Sequence, residues 1–541
     1  MSFQGFMEWL RGRHGDRIKA MQTVQLTQQA RTLEVLRDYE AFIPHARRIR
    51  DGLLVGTASA SEERRIPIRL PWGDEHTHWL VQGGTGTGKT TWVASLLRQE
   101  LAAGRSVGVL DYKGDLFKAA IQWAAVAATG FEEERRRAFR DRLVVVNPFS
   151  DTLVPMNVCR LLPGTSAEAQ AYEVTLALSR LFDSSLGSHM ESVLRHLLLL
   201  LVEAGLSLVE APLLLQNEVL RGLLARRSTI PSVKEFFLGT YAAVPQVSKD
   251  ALLSRLQGLL LPENLRLMLG AEEMVDFRRT FEDGTPLFAF FGRGPGVPEE
   301  QVEVLGSLFF QLLLQATYAR GSGQRPPYLL MLDEFVHALA APHIAQRFET
   351  ALTTVRSFGL SLVLIHHNFA QIPPALRETM LANCTLTSLF RTSARNADPL
   401  ADILPEIDPE SLAQALAAGG FPASESGSRG RRLEALQRLE TRCFWWYDRR
   451  KPYRAIRLRA PYLPSPHEAI DLSSQTLEER IEKEGWSRGG AAVPRRELAA
   501  TIEARAARLR ALVREHVRPK PPQGQGSRRS PLPHDEGSGI G

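Results

Sequence analysis

The stretch that most constrains this chain is Gly83-Gly-Thr-Gly-Thr-Gly-Lys-Thr-Thr91, entered from the apolar run His78-Trp-Leu-Val81 and left through an apolar-patterned segment, Trp92 to Leu101. Strand, glycine-rich loop and helix in that order make the phosphate-binding pattern G-x-x-x-x-G-K-[ST]. Gly83, Gly84, Gly86 and Gly88 let the backbone wrap an anion, so that N–H groups between Thr85, Thr87 and Thr91 and the start of the helix all point at it. Lys89 is expected to reach the β- and γ-phosphates of ATP, and Thr90 to put its hydroxyl on Mg²⁺. The alternative is a turn that binds nothing. It would need the glycines, Lys89, Thr90 and both flanking patterns to coincide by chance.

The chain has 541 residues, enough for more than one domain. Its 66 Lys and Arg against 60 Asp and Glu give a formal charge of +6 and permit a polyanionic partner without requiring one. Cys159, Cys384 and Cys443 form no CxxC pair, so disulfide and zinc frameworks are not expected and a reducing compartment is the default. Glu8, Arg11, Arg13 and Asp16 stand where a signal peptide needs an apolar core. The most apolar stretch, Val193 to Leu215, is broken by Glu203, Glu210 and Pro212 and reads as buried helix rather than a membrane span. A cytoplasmic location follows as the expectation, with any membrane association made through partners.

Residues 1–60 read as a polar helical segment. From about residue 66 short β-like runs alternate with helices: Ile66 to Leu70, His78 to Gln82, Ser106 to Asp111 and Leu143 to Asn147. Such alternation implies a parallel sheet covered by helices. Between 160 and 280 leucine-rich helical patterns replace the strands, and strands resume at Pro286 to Gly292, Tyr328 to Leu332, Leu360 to His366 and Leu386 to Arg391. The reading is therefore α/β, with the sheet domain in two parts (61–159 and 281–470) around an all-α insertion at 160–280. Residues 471–518 read as basic C-terminal helices, with Leu498, Ile502, Leu509 and Val513 at helical spacing, open to either a partner or the core. The Pro, Gly and Ser-rich end, 519–541, reads as disordered.

A phosphate loop needs carboxylates to hold Mg²⁺ and to act on water. Tyr328 to Leu332 followed by Asp333-Glu334 supplies an apolar strand ending in two acids, Asp333 for the metal and Glu334 for polarising the attacking water. Val109-Leu-Asp-Tyr-Lys-Gly-Asp115 reads as an ordinary strand-to-helix turn that carries Asp111, Lys113 and Asp115. Arg356 lies just upstream of the strand that ends in His366-His367. It suits either an arginine finger for a neighbouring subunit's γ-phosphate or a structural ion pair.

In order, the segments GGTGTGKTT, LDYKGD, LLMLDEF, RSFGLSLVLIHHN and Asn383 to Arg391 resemble the motor domain of type IV secretion and conjugation coupling proteins of the TraG/TraD kind, within the HerA/FtsK superfamily of DNA translocases. The resemblance spans roughly residues 66 to 410. It implies a RecA-like P-loop NTPase core with an all-α domain, a hexameric ring, DNA in a central channel and ATP hydrolysed between subunits. It carries the nucleotide site onto Lys89, Thr90, Asp333 and Glu334 and the trans-acting arginine onto Arg356, with Arg391 as runner-up. Two departures stand out. The family has glutamine as a γ-phosphate sensor where this chain has His367, an imidazole able to donate or accept a hydrogen bond. Transmembrane helices at the N-terminus are usual there, and none is read here.

For gripping DNA phosphates, Gly292-Arg-Gly-Pro-Gly296 and Ser428-Arg-Gly-Arg-Arg432 are candidates, each equally readable as an exposed turn. Phe444-Trp-Trp-Tyr447 reads either as a stacking platform for single-stranded bases or, as the resemblance favours, a core strand. The function expected is an ATP-driven DNA translocase, with a relaxase or secretion machinery as partner. Its rivals are a HerA-like motor serving a separate nuclease and an ATP-gated scaffold with little turnover.

Overall fold

The computed structural model describes residues 48–61, 64–178, 187–320, 325–339, 342–404, 428–451 and 455–517. The expected tail at 519–541 and all but the end of the segment 1–60 lie outside the described residues. In chain order the strands are β1 Leu53–Ser61, β2 Arg64–Leu70, β3 Trp79–Gln82, β4 Val107–Asp111, β5 Val144–Val146, β6 Thr152–Leu153, β7 Leu287–Phe290, β8 Tyr328–Asp333, β9 Leu360–His366, β10 Leu386–Phe390, β11 Cys443–Asp448, β12 Ile456–Arg459 and β13 Val493–Pro494.

Strands β3, β4, β8 and β9 are buried at every residue. Runs that are apolar on both faces suit the middle of a parallel sheet with helices on each side. They form that middle: the large sheet runs β2-β1-β12-β11-β10-β3-β9-β8-β4-β7-β5. From β10 to β5 all pairs are parallel, whereas β11, β12, β1 and β2 continue the sheet by antiparallel pairing. Side chains alternate between two cores. Trp79, Val81, Val107, Val109, Leu329, Met331, Val363 and Ile365 join the cluster with helices Lys89–Ala102 and Asp115–Ala127. Leu80, Leu110, Leu330, Leu332, Leu362 and Leu364 join the opposite cluster, which runs without a break through helix Glu299–Tyr318 into Leu194, Leu198, Leu256 and Leu265 of the α-helical part. The sheet and the α-helical part therefore share one hydrophobic core.

Among the described residues the stretch from Leu162 to Thr285 contains helices and no named strand, as the leucine pattern implies. One expectation needs correcting. Residues 53–60, placed inside a helical N-terminal segment, belong to β1, paired with β2 on one side and β12 on the other. Here Gly56, Ala58 and the neighbouring Ser and Thr residues dilute the alternation that marks a strand, and Leu53, Val55 and Ala58 are fully buried.

The basic C-terminal segment holds two helices, Ser474–Glu484 and Arg495–Val517, the second introduced by β13 pairing with β6. Leu498, Ile502 and Leu509 are buried in the shared core, so this face packs on the α-helical part. Arg505, 4 % exposed, donates to Glu210 Oε1 at 2.9 Å, Ser207 Oγ at 2.8 Å and the Gly270 carbonyl at 2.6 Å. The three cysteines are free and buried. Among the described residues no helix is long and apolar enough to cross a membrane.

Candidate nucleotide site

Strand registers decide what meets at the carboxyl edge of the sheet. Gln82 of β3 lies opposite His366 of β9, Ile365 of β9 opposite Asp333 of β8, and Asp333 opposite Asp111 of β4. Strand β9 thus separates the loop strand from the acid strand, and four polar side chains share one edge. Open parallel sheets bind ligands outside this edge.

The loop rises from it. Gly86 and Gly88 take left-handed φ values of 73° and 99°, which side chains on a β-carbon disfavour. Gly83 answers a different demand: a Cβ there would lie 2.5 Å from Phe390 Cβ, so glycine allows β10 to approach. The Gly84 N–H donates to the Arg391 carbonyl at 2.7 Å, and Thr87 Oγ1 donates to the Gly84 carbonyl at 2.8 Å. Helix Lys89–Ala102 then begins with no side-chain cap and no acid in its first turn. Its free N–H groups and dipole leave a place for an anion. A cavity of about 250 Å³ opens there, lined by Thr85 to Thr91 together with Lys113, Asp115, Asp333, Glu334 and His367.

Lys89 is buried, and its Nζ donates back to the carbonyls of Gly83 at 2.6 Å and Gly84 at 2.8 Å. Burial lowers its pKa, while Glu334 and Asp333 act in the opposite sense. Asp333, 3 % exposed, is pushed up to about 8, first by burial and then by the neighbouring Asp111 and Glu334 carboxyls, against the pull of Lys89 and Lys113. Asp111 is raised as well, again chiefly by burial. Its two oxygens accept from the N–H groups of Lys113 at 2.7 Å and Phe117 at 2.8 Å. These bonds hold the turn that presents Lys113 and Asp115 to the cavity, where Lys113 Nζ pairs with Asp115 at 3.1 Å.

Glu334 takes φ 53°, unusual for a residue with a side chain, and its N–H donates to the Ile365 carbonyl at 3.1 Å. The backbone thus turns Glu334 away from Asp333 and towards the end of β9. Its Oε2 meets His366 Nδ1 at 2.7 Å and its Oε1 meets His367 Nδ1 at 2.6 Å. Burial works to raise the Glu334 pKa, but the hydrogen bonds and charge of the two rings outweigh it and hold the carboxyl at about 2. His366 Nε2 lies 2.8 Å from the Asn368 carbonyl, so this ring stands between two acceptors.

The loop residues Gly83, Gly84, Thr85, Gly86, Thr87, Gly88, Lys89, Thr90 and Thr91 and the acids Asp333 and Glu334 are gathered at one place. His367 joins them, although β9 already ends at His366 and His367 follows the strand. Arg356 is elsewhere: it is exposed in the turn Val355–Phe358 before β9, near His78, whose pKa is lowered to about 4 by burial and then by Arg356. The seven residues of β9 put it roughly 20 Å from the loop of its own chain. Arg391 is exposed beside the loop, its carbonyl on Gly84. The sequence pattern shows Asp111, Lys113 and Asp115 only as an ordinary strand-to-helix turn and gives His366 no role in the site; the available signal was the shared position of Asp111 and Asp333 at strand ends.

The DNA candidates fall in different settings. Arg293 is exposed and pairs with Glu299 at 2.7 Å, and Arg429 pairs with Asp398 at 2.9 Å. Phe444, Trp445 and Trp446 are buried in β11, which makes this run a core strand and not a stacking surface.

An α/β sheet with a phosphate loop, an uncapped helix N-terminus and buried acids across one intervening strand defines the class: a protein of the P-loop NTPase fold. Residues 65–151, which hold the loop and the Asp111 turn, match the family model of the type IV secretion-system coupling protein DNA-binding domain. Over that stretch the resemblance to type IV secretion coupling proteins is borne out. No curated protein matches the sequence. Similar solved structures include the unbound bacterial conjugative coupling protein TrwBdeltaN70, at 15 % identity over 78 % of this chain and 92 % of that one with a TM-score of 0.48. The plasmid coupling protein TrwB in complex with ADP and Mg²⁺ has 15 % identity, covers 78 % and 93 %, and scores 0.47. VirB4 of Thermoanaerobacter pseudethanolicus has 12 % identity, covers 77 % and 98 %, and scores 0.48.

Proposed function

We propose that this chain is an ATP-driven DNA translocase of the coupling-protein type, with its active sites completed between subunits of a ring, most simply a homo-hexamer. The observation that carries the reading is the division of parts along β9. Lys89, Asp333 and Glu334 face one cavity at its carboxyl end, and Arg356 stands exposed at the other end, out of reach of that cavity. An arginine so placed serves a neighbour's nucleotide better than its own. The match of residues 65–151 to a coupling-protein DNA-binding family and the net charge of +6 support DNA as the partner.

The residues fit a nucleotide with Mg²⁺. Asp333 is a carboxyl whose pKa is raised first by burial and then by two other acids, an arrangement that a divalent cation relieves. Thr90 and Asp333 would hold the ion, which when bound neutralises charge on the phosphates. Lys89 exchanges its two loop carbonyls for phosphate oxygens, and the N–H groups of the loop and first helical turn take the remaining oxygens. Glu334 orients the attacking water once His367, the more exposed of its two partners, gives up Oε1. His367 thereby stands where γ-phosphate and acid can compete for one ring.

Purified protein should hydrolyse ATP, faster with DNA, and Lys89→Ala should abolish hydrolysis. Lack of any DNA stimulation together with lack of salt-sensitive DNA binding would overturn the translocase reading. One observation favours a second reading, an ATP-gated scaffold: both Glu334 oxygens are engaged, which suits a protein that binds nucleotide and seldom turns it over. Tight ATP binding with turnover unaffected by Glu334→Gln would support it. A HerA-like motor feeding a separate nuclease shares the same site and is separated by the partner that copurifies.

A further inference from the structure

We infer that Glu334, His366 and His367 form a binding site for a borderline transition-metal ion of the Zn²⁺ type, distinct from the Mg²⁺ position at Thr90 and Asp333, and that its occupation arrests the nucleotide site. Two imidazoles and a carboxylate are the donor set of three-ligand zinc centres, which leave a fourth position for water or a phosphate oxygen. Oxygen-preferring Mg²⁺ is a poor match for two ring nitrogens. One ligand atom from each of the three side chains lies within 4.8 Å of the others. Glu334 stands at the centre, with His366 Nδ1 and His367 Nδ1 at 2.7 Å and 2.6 Å from its two oxygens. A tetrahedron with zinc bonds near 2.1 Å has an edge of about 3.4 Å, so an ion would spread these nitrogen–oxygen contacts by less than about 1 Å.

A second observation bears on His366. Its Nε2 lies 2.8 Å from the backbone carbonyl of Asn368, and the ring is 2 % exposed. A carbonyl only accepts, so Nε2 carries a proton and keeps it; the proton that Nδ1 shares with the Glu334 carboxylate is released when a metal takes that nitrogen, and the ring then ligates in its neutral form through Nδ1. Metal-ligating histidines are fixed by this kind of outer hydrogen bond. The backbone contributes too: Glu334 is turned toward the end of β9 by its left-handed φ, and β9 ends at His366 so that consecutive histidines face the same carboxylate. His367 is 43 % exposed and borders the cavity, which gives an ion a way in.

An ion held there would tie up the carboxylate assigned to orient water, so hydrolysis should fall as the site fills; this arm rests on the nucleotide reading above, and binding does not. Untagged full-length protein titrated with Zn²⁺, and separately with Co²⁺ followed by its visible absorption, should bind one equivalent with nitrogen and oxygen ligands, undisturbed by excess Mg²⁺. His367→Ala, a change at a partly exposed ring, should weaken binding about 100-fold, and Lys89→Ala should leave it intact. Absence of stoichiometric binding, or equal affinity in His367→Ala, overturns the site. If the metal binds as stated but the protein never hydrolyses ATP, the translocase reading fails and the metal site stands. If hydrolysis proceeds unchanged with the site filled, the arrest is overturned.

Discussion

Asp333 shows how the burial that makes a site also burdens the fold. Its carboxyl is held at about 8 by burial and by two acidic neighbours, so the folded protein binds this proton far more tightly than the unfolded chain does. Below about pH 4 both states are protonated and the group costs nothing; stability is lost as pH rises from there to about 8, where the penalty is complete. Asp333→Asn should therefore unfold at higher temperature than the parent in metal-free buffer, with a gap that is absent near pH 4 and widens to a few kcal/mol by pH 8. Calorimetry across that pH range checks it, and a constant gap would contradict the assignment. The same substitution should remove Mg²⁺-dependent nucleotide binding, measured by fluorescent-nucleotide titration. Glu100 repeats the pattern away from the site: it is fully buried beside Glu75, raised to about 8 chiefly by burial, and neither of its oxygens has a hydrogen-bond partner. Glu100→Gln should stabilise the fold above pH 8 and leave ATP hydrolysis alone.

At the level of elements, the loop works because its glycines meet two steric demands, a left-handed backbone at Gly86 and Gly88 and the close approach of β10 at Gly83. Gly83→Ala sets a methyl group 2.5 Å from Phe390 Cβ and must displace β10, so it should cost about 1–3 kcal/mol and weaken nucleotide binding, read by denaturation and titration together. The C-terminal helix offers a parallel case. Arg505→Ala leaves Glu210 buried without its cation and should cost about 3–5 kcal/mol, whereas replacing both by apolar residues should cost much less, a difference that a double-mutant cycle in urea measures. These elements also show what could be read in advance. The loop was legible because Gly, Lys and Thr fall at fixed spacing in one continuous stretch, and the parallel strands because they are apolar on both faces. Strand β1 was not, because small residues weaken its pattern. Asp111 and His366 could not be placed from sequence either. Their roles depend on register between strands drawn from distant parts of the chain, and a polar residue at a strand end looks the same with or without a partner across the edge.

For the whole molecule, the proposed division of the site between Arg356 and a neighbour's cavity would make assembly a condition of activity. Arg356→Ala and Lys89→Ala should each be inactive alone, and mixing them should restore part of the ATP hydrolysis, because some interfaces then combine an intact loop with an intact finger. No recovery in mixtures shown by sedimentation to co-assemble would place the arginine elsewhere. The order of strands carries one more consequence, for synthesis. Strand β3, which leads into the phosphate loop, ends at Gln82, but the strands on either side of it begin only at Leu360 and Leu386. A nascent chain thus emerges with both edges of this apolar strand unpaired, and the sequence separation makes their closure slow. The α-helical part, made in between, can fold early through local contacts, while the nucleotide loop waits for the chain past Phe390. Chains stalled on the ribosome before that residue should show helical structure without binding nucleotide, and they should lean on chaperones for as long as those edges stay open.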